Sequence, residues 1–107
     1  MTPEDVLPRM AAGLDENAAK GLHATIQFNL SGEHGGGWFI VVKDGKATVT
    51  KGSASSPSVT IAMTGSDYVD LATGMLDRQM AFMSGKLKIS GNMELAMKLQ
   101  TLFKPLA

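Results

Sequence analysis

The chain has 107 residues, 44% of them apolar and 19% charged, with Lys plus Arg and Asp plus Glu at 10 each. This size and composition fit one folded domain, residues 1–107, with a single core, and exclude a disordered chain. A net charge of zero gives no electrostatic reason for nucleic acid or an anionic membrane as the main partner, and the absence of cysteine removes disulfides, thiolate nucleophiles and Cys-based metal sites together.

No apolar run approaches the roughly eighteen residues of a membrane span. The start, Met1-Thr2-Pro3-Glu4-Asp5, lacks the basic and apolar regions of a signal peptide. The expected location is the cytoplasm, with at most transient membrane contact and a monomeric state. There are 8 methionines and 12 glycines. Methionine is the flexible filler of adaptable apolar surfaces.

In chain order, Thr2 is a helix cap followed by Pro3, with Asp5 reaching back as a capping box. Val6, Met10, Ala11 and Leu14 recur at helical spacing, so a first helix is expected from about Pro3, ending between Gly13 and Lys20. Strict alternation follows. Ala24, Ile26, Phe28 and Leu30 share one face of a strand, with His23, Thr25, Gln27 and Asn29 on the other. Residues 31–37, rich in glycine, read as a loop. The unbroken apolar run 38–42, beginning at Trp38, reads as a strand covered on both faces.

Asp44-Gly45 is a hairpin signal, because a tight turn there needs positive φ at both residues. It sets Val42 opposite Ala47 and Ile40 opposite Val49. After a polar loop, Val59, Ile61 and Met63 alternate as a fourth strand. Thr64 with Asp67 opens a helix through Tyr68, Leu71, Ala72 and Met75. A short helical piece carries Met80, Phe82 and Met83 and stops at Gly85. Leu87 and Ile89 form a fifth strand. Asn92 caps a last helix, with Leu95, Leu99 and Leu102 on one stripe, Met93, Ala96 and Met97 on another, and Pro105 as its end.

That order makes an α+β domain with one sheet. A final helix that is apolar on more than one face is either a buried helix of a small core or one wall of a cavity, and both readings stay open at this point. The candidate cavity set is a sheet face with Met-rich helical faces. Burying an acyl chain of about fifteen methylenes is worth on the order of 12 kcal/mol gross, at ~0.8 kcal/mol each. No charged anchor is evident in the pattern.

The block 81–100, running Ala81-Phe82-Met83-Ser84-Gly85-Lys86-Leu87-Lys88-Ile89-Ser90-Gly91-Asn92-Met93 and on to Leu99-Gln100, resembles the C-terminal signature of the sterol carrier protein 2 family. Upstream, Trp38 ahead of the Asp44-Gly45 turn, Pro57-Ser58-Val59-Thr60-Ile61, and Ser66-Asp67-Tyr68 with Gly74 and Leu76 are similar to that family too. The resemblance implies a five-stranded, mostly antiparallel sheet covered by helices, with an apolar tunnel between them that holds fatty acids, acyl-CoA, sterols or phospholipids. By position it implies tunnel lining by Phe28, Phe82, Met83 and Met97, a polar contact at Gln79, and closure by Leu102 and Phe103. Ile40, Leu71 and Met75 complete the expected lipid-binding set. Ser58 departs from a common acidic residue, and the C-terminus lacks a peroxisomal tripeptide, which favours a bacterial, stand-alone version.

No catalytic or metal site and no cofactor is expected. His23 and His34 read as surface histidines without metal-like partners. Gly35-Gly36-Gly37 joins two strands, whereas phosphate cradles join a strand to a helix. Asp67 and Asp70 read as charges suited to a helix N-terminus. The expected function is a non-catalytic lipid carrier. The alternatives are a module presenting a hydrophobic cofactor precursor, such as a quinone intermediate, to biosynthetic enzymes, and, further off, an acyl-processing enzyme.

Overall fold

The structure, a computed structural model, describes residues 2–32 and 35–103. His34 and Pro105 lie outside the described residues. Among those described, no helix is long and apolar enough to cross a membrane.

Among the described residues nine elements follow in order: α1 (Pro3–Ala12), β1 (Ala24–Ser31), β2 (Gly36–Lys43), β3 (Lys46–Lys51), β4 (Val59–Thr64), α2 (Gly65–Ala72), α3 (Arg78–Met83), β5 (Lys88–Gly91) and α4 (Met93–Leu102). The strands form one five-stranded sheet in the order β3-β2-β1-β4-β5. All neighbours are antiparallel except β1 and β4, which run parallel. This is the α+β, mostly antiparallel sheet that the sequence leads one to expect.

The hairpin between β2 and β3 follows its turn chemistry. Asp44 and Gly45 sit at φ 53° and 75°, and the register sets Val42 opposite Ala47 and Ile40 opposite Val49. β2 starts earlier than expected, at Gly36. Glycine is needed there for packing. A Cβ on Gly36, at φ +148°, would lie 3.0 Å from the Trp38 ring, and one on Gly37 would lie 3.0 Å from the Gly52 carbonyl oxygen. The glycine run lets the Trp38 indole and the neighbouring backbone close on the strand.

One sheet face is apolar across β1, β2 and β4. Ala24, Ile26, Phe28 and Leu30 are buried on β1, as are Trp38, Ile40 and Val42 on β2 and Val59, Ile61 and Met63 on β4. The helices cover this face: α1 packs on β3 and α2, α2 on β4 and β1, and α4 on β4 and β5. On the other face Phe39 and Val41 are only half-buried, so the run 38–42 is not covered on both faces as its composition suggests. Its outward residues are shielded partly by cross-strand neighbours such as Thr50 and Gln27. Gln27 is buried because residues 52–54 fold over it. Its amide oxygen accepts from the Ala54 N–H at 2.8 Å, and its amide nitrogen donates to the Gly52 carbonyl at 3.1 Å.

The helix starts match their caps. The Asp5 carboxylate accepts from the Thr2 N–H at 3.0 Å, the Thr64 hydroxyl from the Asp67 N–H at 3.0 Å, and the Asn92 side chain from the Leu95 N–H at 3.1 Å. The ends differ from expectation. α1 stops at Ala12, with the Gly13 N–H bonded back to the Arg9 and Met10 carbonyls. α2 stops at Ala72, short of Met75. Gly74 takes φ 82°, the Met75 N–H reaches the Asp70 carbonyl at 2.7 Å, and the Gly74 N–H reaches that of Leu71 at 3.4 Å. This is a Schellman ending, for which glycine supplies the left-handed residue.

Candidate functional site

Between the sheet and the helices lies a half-open cavity of about 170 Å³. Its floor is one cross-strand row, Phe28–Ile61–Ile89, with Met63 one step along β4. These residues share a face because strand side chains alternate. α2 contributes Tyr68, Leu71 and Ala72 to the opposite wall, and α4 contributes Ala96 and Leu99. Phe103, just past α4, closes one end, and Met10 of α1, Leu87 and Arg78 complete the lining. Apart from Tyr68 and Arg78, every lining side chain among the described residues is apolar.

Tyr68 is 3% exposed, and its ring meets that of Phe28 edge-on, with centroids 5.4 Å apart and planes at 63°. That is a preferred aromatic geometry. The hydroxyl donates to the Met10 sulfur at 2.9 Å, a weak acceptor. Burial pushes the phenol well above its ordinary range, because a phenolate in this dry setting would be poorly solvated. Phe103 is held from the far side of the chain. It pairs with Leu14 in an isolated β-bridge, and the Asp15 N–H donates to the Leu102 carbonyl at 2.7 Å.

Of the ten expected contacts, Phe28, Leu71 and Phe103 line the cavity. Ile40 and Leu102 do not. They are 0% and 1% exposed within the closed core, Ile40 because it lies one row away from the cavity floor, opposite Ile26 and Val49. Met75, Phe82, Met83 and Met97 are 80%, 50%, 76% and 73% exposed, and Gln79 is exposed too. The reason is helical phase. Ala81 turns inward on α3 at 0% exposure, so the next residues, each turned about 100° further, face out. On α4 the buried stripe holds Leu95 and Leu102, and Met97 falls roughly opposite to it. Trp38 is buried with the Lys51 ammonium 5.7 Å from its ring and does not line the cavity, as its reading as a sheet-packing residue anticipates. His23 is exposed, 3.8 Å from the Asp44 carboxylate.

The expected set missed Met10, Tyr68, Arg78 and Leu99 as lining residues, together with Ile61, Met63, Ala72, Leu87, Ile89 and Ala96. Tyr68 and Leu99 have a legible signal, since each sits on the inward stripe of its helix. Met10 shares the apolar stripe of α1 with the buried Val6, but its reach into the cavity depends on long-range packing, and Arg78 has no signal at all.

The sequence profile of the SCP-2 sterol transfer family matches residues 4–104. The chain belongs to that family. A hydroxysteroid dehydrogenase-like protein 2 of Xenopus tropicalis is 44% identical over 88 residues, which is 81% of this chain and 21% of that protein. The chain thus spans about a fifth of the length of such relatives. The solution structure of the sterol carrier protein domain 2 of Helicoverpa armigera superposes with a TM-score of 0.74 at 37% identity, covering 92% of this chain and 81% of that one. The solution structure of palmitated SCP2L2 from Aedes aegypti gives 0.77 at 28% identity, covering 92% and 91%. Membership makes this chain a sterol-carrier-type lipid-binding domain.

Proposed function

We propose that the chain is a non-catalytic carrier. It takes one long apolar molecule, a fatty acid, acyl-CoA, sterol-like lipid or phospholipid, into the cavity between the sheet and α2 and α4, shields it from water and releases it. The observation that carries this reading is the half-open apolar cavity over the row Phe28–Ile61–Ile89. The palmitated state of the Aedes aegypti neighbour supports it. The described lining holds no carboxylate, thiol, imidazole or serine hydroxyl, so it offers no nucleophile paired with a base for acyl chemistry.

The cavity volume sets how such a ligand is held. About 170 Å³ is close to the ~150 Å³ that accommodates a benzene-sized group, and below the ~300 Å³ at which drug-sized ligand pockets begin. A full acyl chain therefore requires the walls to part. α4 is the movable wall, because it packs chiefly on the short edge of the sheet formed by β4 and β5. Its tail is tied at Leu14 and Asp15 by one bridge and one hydrogen bond. Each methylene that enters contributes ~0.8 kcal/mol, part of which the ordering of ligand and wall takes back. Only a ligand that emerges from the cavity, or a bilayer surface, meets Phe82, Met83 and Met97.

The test is native mass spectrometry of the gently purified protein, with organic extraction of whatever is bound. A stoichiometric lipid, or uptake of a fluorescent fatty acid by the stripped protein, is the expected result. A clean apo mass with no uptake on titration sinks the carrier reading.

A further inference from the structure

We infer that Arg78 anchors the head of an anionic single-tailed amphiphile at the mouth of the cavity, so that the tail enters first and a carboxylate stays at the rim. This rests on the carrier reading above and adds the ligand's polarity and orientation to it. Arg78 is the one charged side chain on the described lining. It is exposed, so its guanidinium meets water on the open side while the lining behind it is apolar. The other polar group, Tyr68, is buried and already directs its hydroxyl at Met10. The site therefore has an apolar interior and a cationic rim, which is the complement of a long-chain anion.

Among the described residues the charge of Arg78 has no carboxylate within ion-pair distance. Among the described residues the one ion pair is His23 with Asp44. The adjacent carboxylate, Asp77, accepts the Met80 N–H at 3.2 Å as the cap of α3. Arg78 is also the first residue of that helix, where the partial positive charge of the exposed amides disfavours a cation. A residue placed against local electrostatics and without a partner is suited to a partner from outside. The planar guanidinium pairs with a carboxylate through two parallel hydrogen bonds, a geometry that a lysine ammonium does not reproduce.

A long arginine also shields apolar surface with its stem, so the test must separate charge from coverage. Arg78→Met keeps an apolar stem and removes the charge. Dodecanoate and dodecan-1-ol share a tail and differ in the head. Both are titrated calorimetrically, below their solubility limits, into the wild-type protein, Arg78→Met and Arg78→Lys. The expected result is dodecanoate about 5-fold weaker with Arg78→Met, dodecan-1-ol changed by less than about 2-fold, and Arg78→Lys in between. Dodecanoate affinity for the wild type should also fall as salt is raised from about 0.01 to 0.15 M. Equal changes for both ligands, or no change for either, overturn the anchor and leave the carrier intact. If neither ligand binds the wild type, the carrier reading falls and the anchor falls with it.

Discussion

Two neighbouring rows on the same face of the sheet differ in what lies above them. The row Ile26–Ile40–Val49–Val59 runs under closed packing, with Ile26, Ile40 and Val59 all at 0% exposure. One step along the strands, the row Phe28–Ile61–Ile89 is made of the same kinds of residue and lies under a cavity. Composition therefore does not decide which row stabilises and which one binds. The decision lies with the cover. α1 brings Val6 and Leu7 down to full burial at one end of the face. At the other end α2 and α4 stand apart, with Leu71, Ala72 and Leu99 only half-buried.

The sharpest way to break this comparison is to remove the same atoms from each row. Ile40→Ala should cost about 3 kcal/mol of stability, since it deletes three carbons from a closed site that relaxes only in part. Ile61→Ala should cost about half as much, because its side chain already lacks partner atoms on the cavity side. Urea unfolding measures both, with unchanged slope expected for each. Equal losses would mean that the cavity is no looser than the core beside it.

Filling the cavity tests its role. Ala96 lies on the cavity wall at 9% exposure. Ala96→Leu directs a larger side chain into existing space, so stability should change by less than about 1 kcal/mol, while fatty acid affinity should fall about 10-fold. The same substitution loaded into the closed row would strain the fold instead. A filled cavity that still binds lipid normally would place the ligand elsewhere.

Tyr68 reports on how dry the inner end of the cavity is. It is the single tyrosine of the chain, so phenolate absorbance is unambiguous. Burial raises its folded-state value, and a free phenol ionises near ~10. The sign follows from linkage. Below the unfolded value both states are protonated and the stability contribution is fully present. As pH rises past about 10, the unfolded chain gives up its proton first, so stability falls by up to ~1.4 kcal/mol per pH unit from this group. Absorbance at alkaline pH should show no ionisation in the folded protein where the urea-unfolded chain titrates normally. Folded protein that titrates with the unfolded chain would mean that water reaches the phenol.

The parts of the fold that were legible are local ones. The Asp44-Gly45 hairpin, its register, and the helix starts at Thr2, Thr64 and Asn92 all depend on residues within a few positions of each other. The cavity floor was half legible. The family resemblance points to Phe28, and alternation marks Ile61 and Ile89 as strand residues, but their alignment depends on the parallel pairing of β1 with β4 across two intervening strands. The α3 segment is the least legible. Six residues span less than two turns, so periodicity there does not fix which side faces in, and the small Ala81, not Phe82, takes the inward place. Gly74 ends α2, although the apolar spacing runs on to Met75. Its positive φ, rather than the apolar spacing of Met75, decides that boundary.

The methionines carry the same contrast at its smallest energetic scale. Met63 is buried at 5% exposure and Met10 is partly buried, and both line the cavity. Met75, Met80, Met83 and Met97 stand in solvent at 66% exposure or more. Met97→Ser removes an apolar side chain that is mostly in solvent, so stability should stay within about 0.5 kcal/mol of wild type. A short, soluble acid held inside the cavity should bind as before. Exposed apolar side chains grouped in sequence can also meet an emerging tail or a bilayer surface. If so, Met97→Ser slows loading from lipid vesicles while leaving the affinity for the short acid alone. Vesicle-to-protein transfer measured beside decanoate binding separates the two. A loss of decanoate affinity would put Met97 inside the ligand site after all, and would mean that α4 turns on its axis when lipid enters.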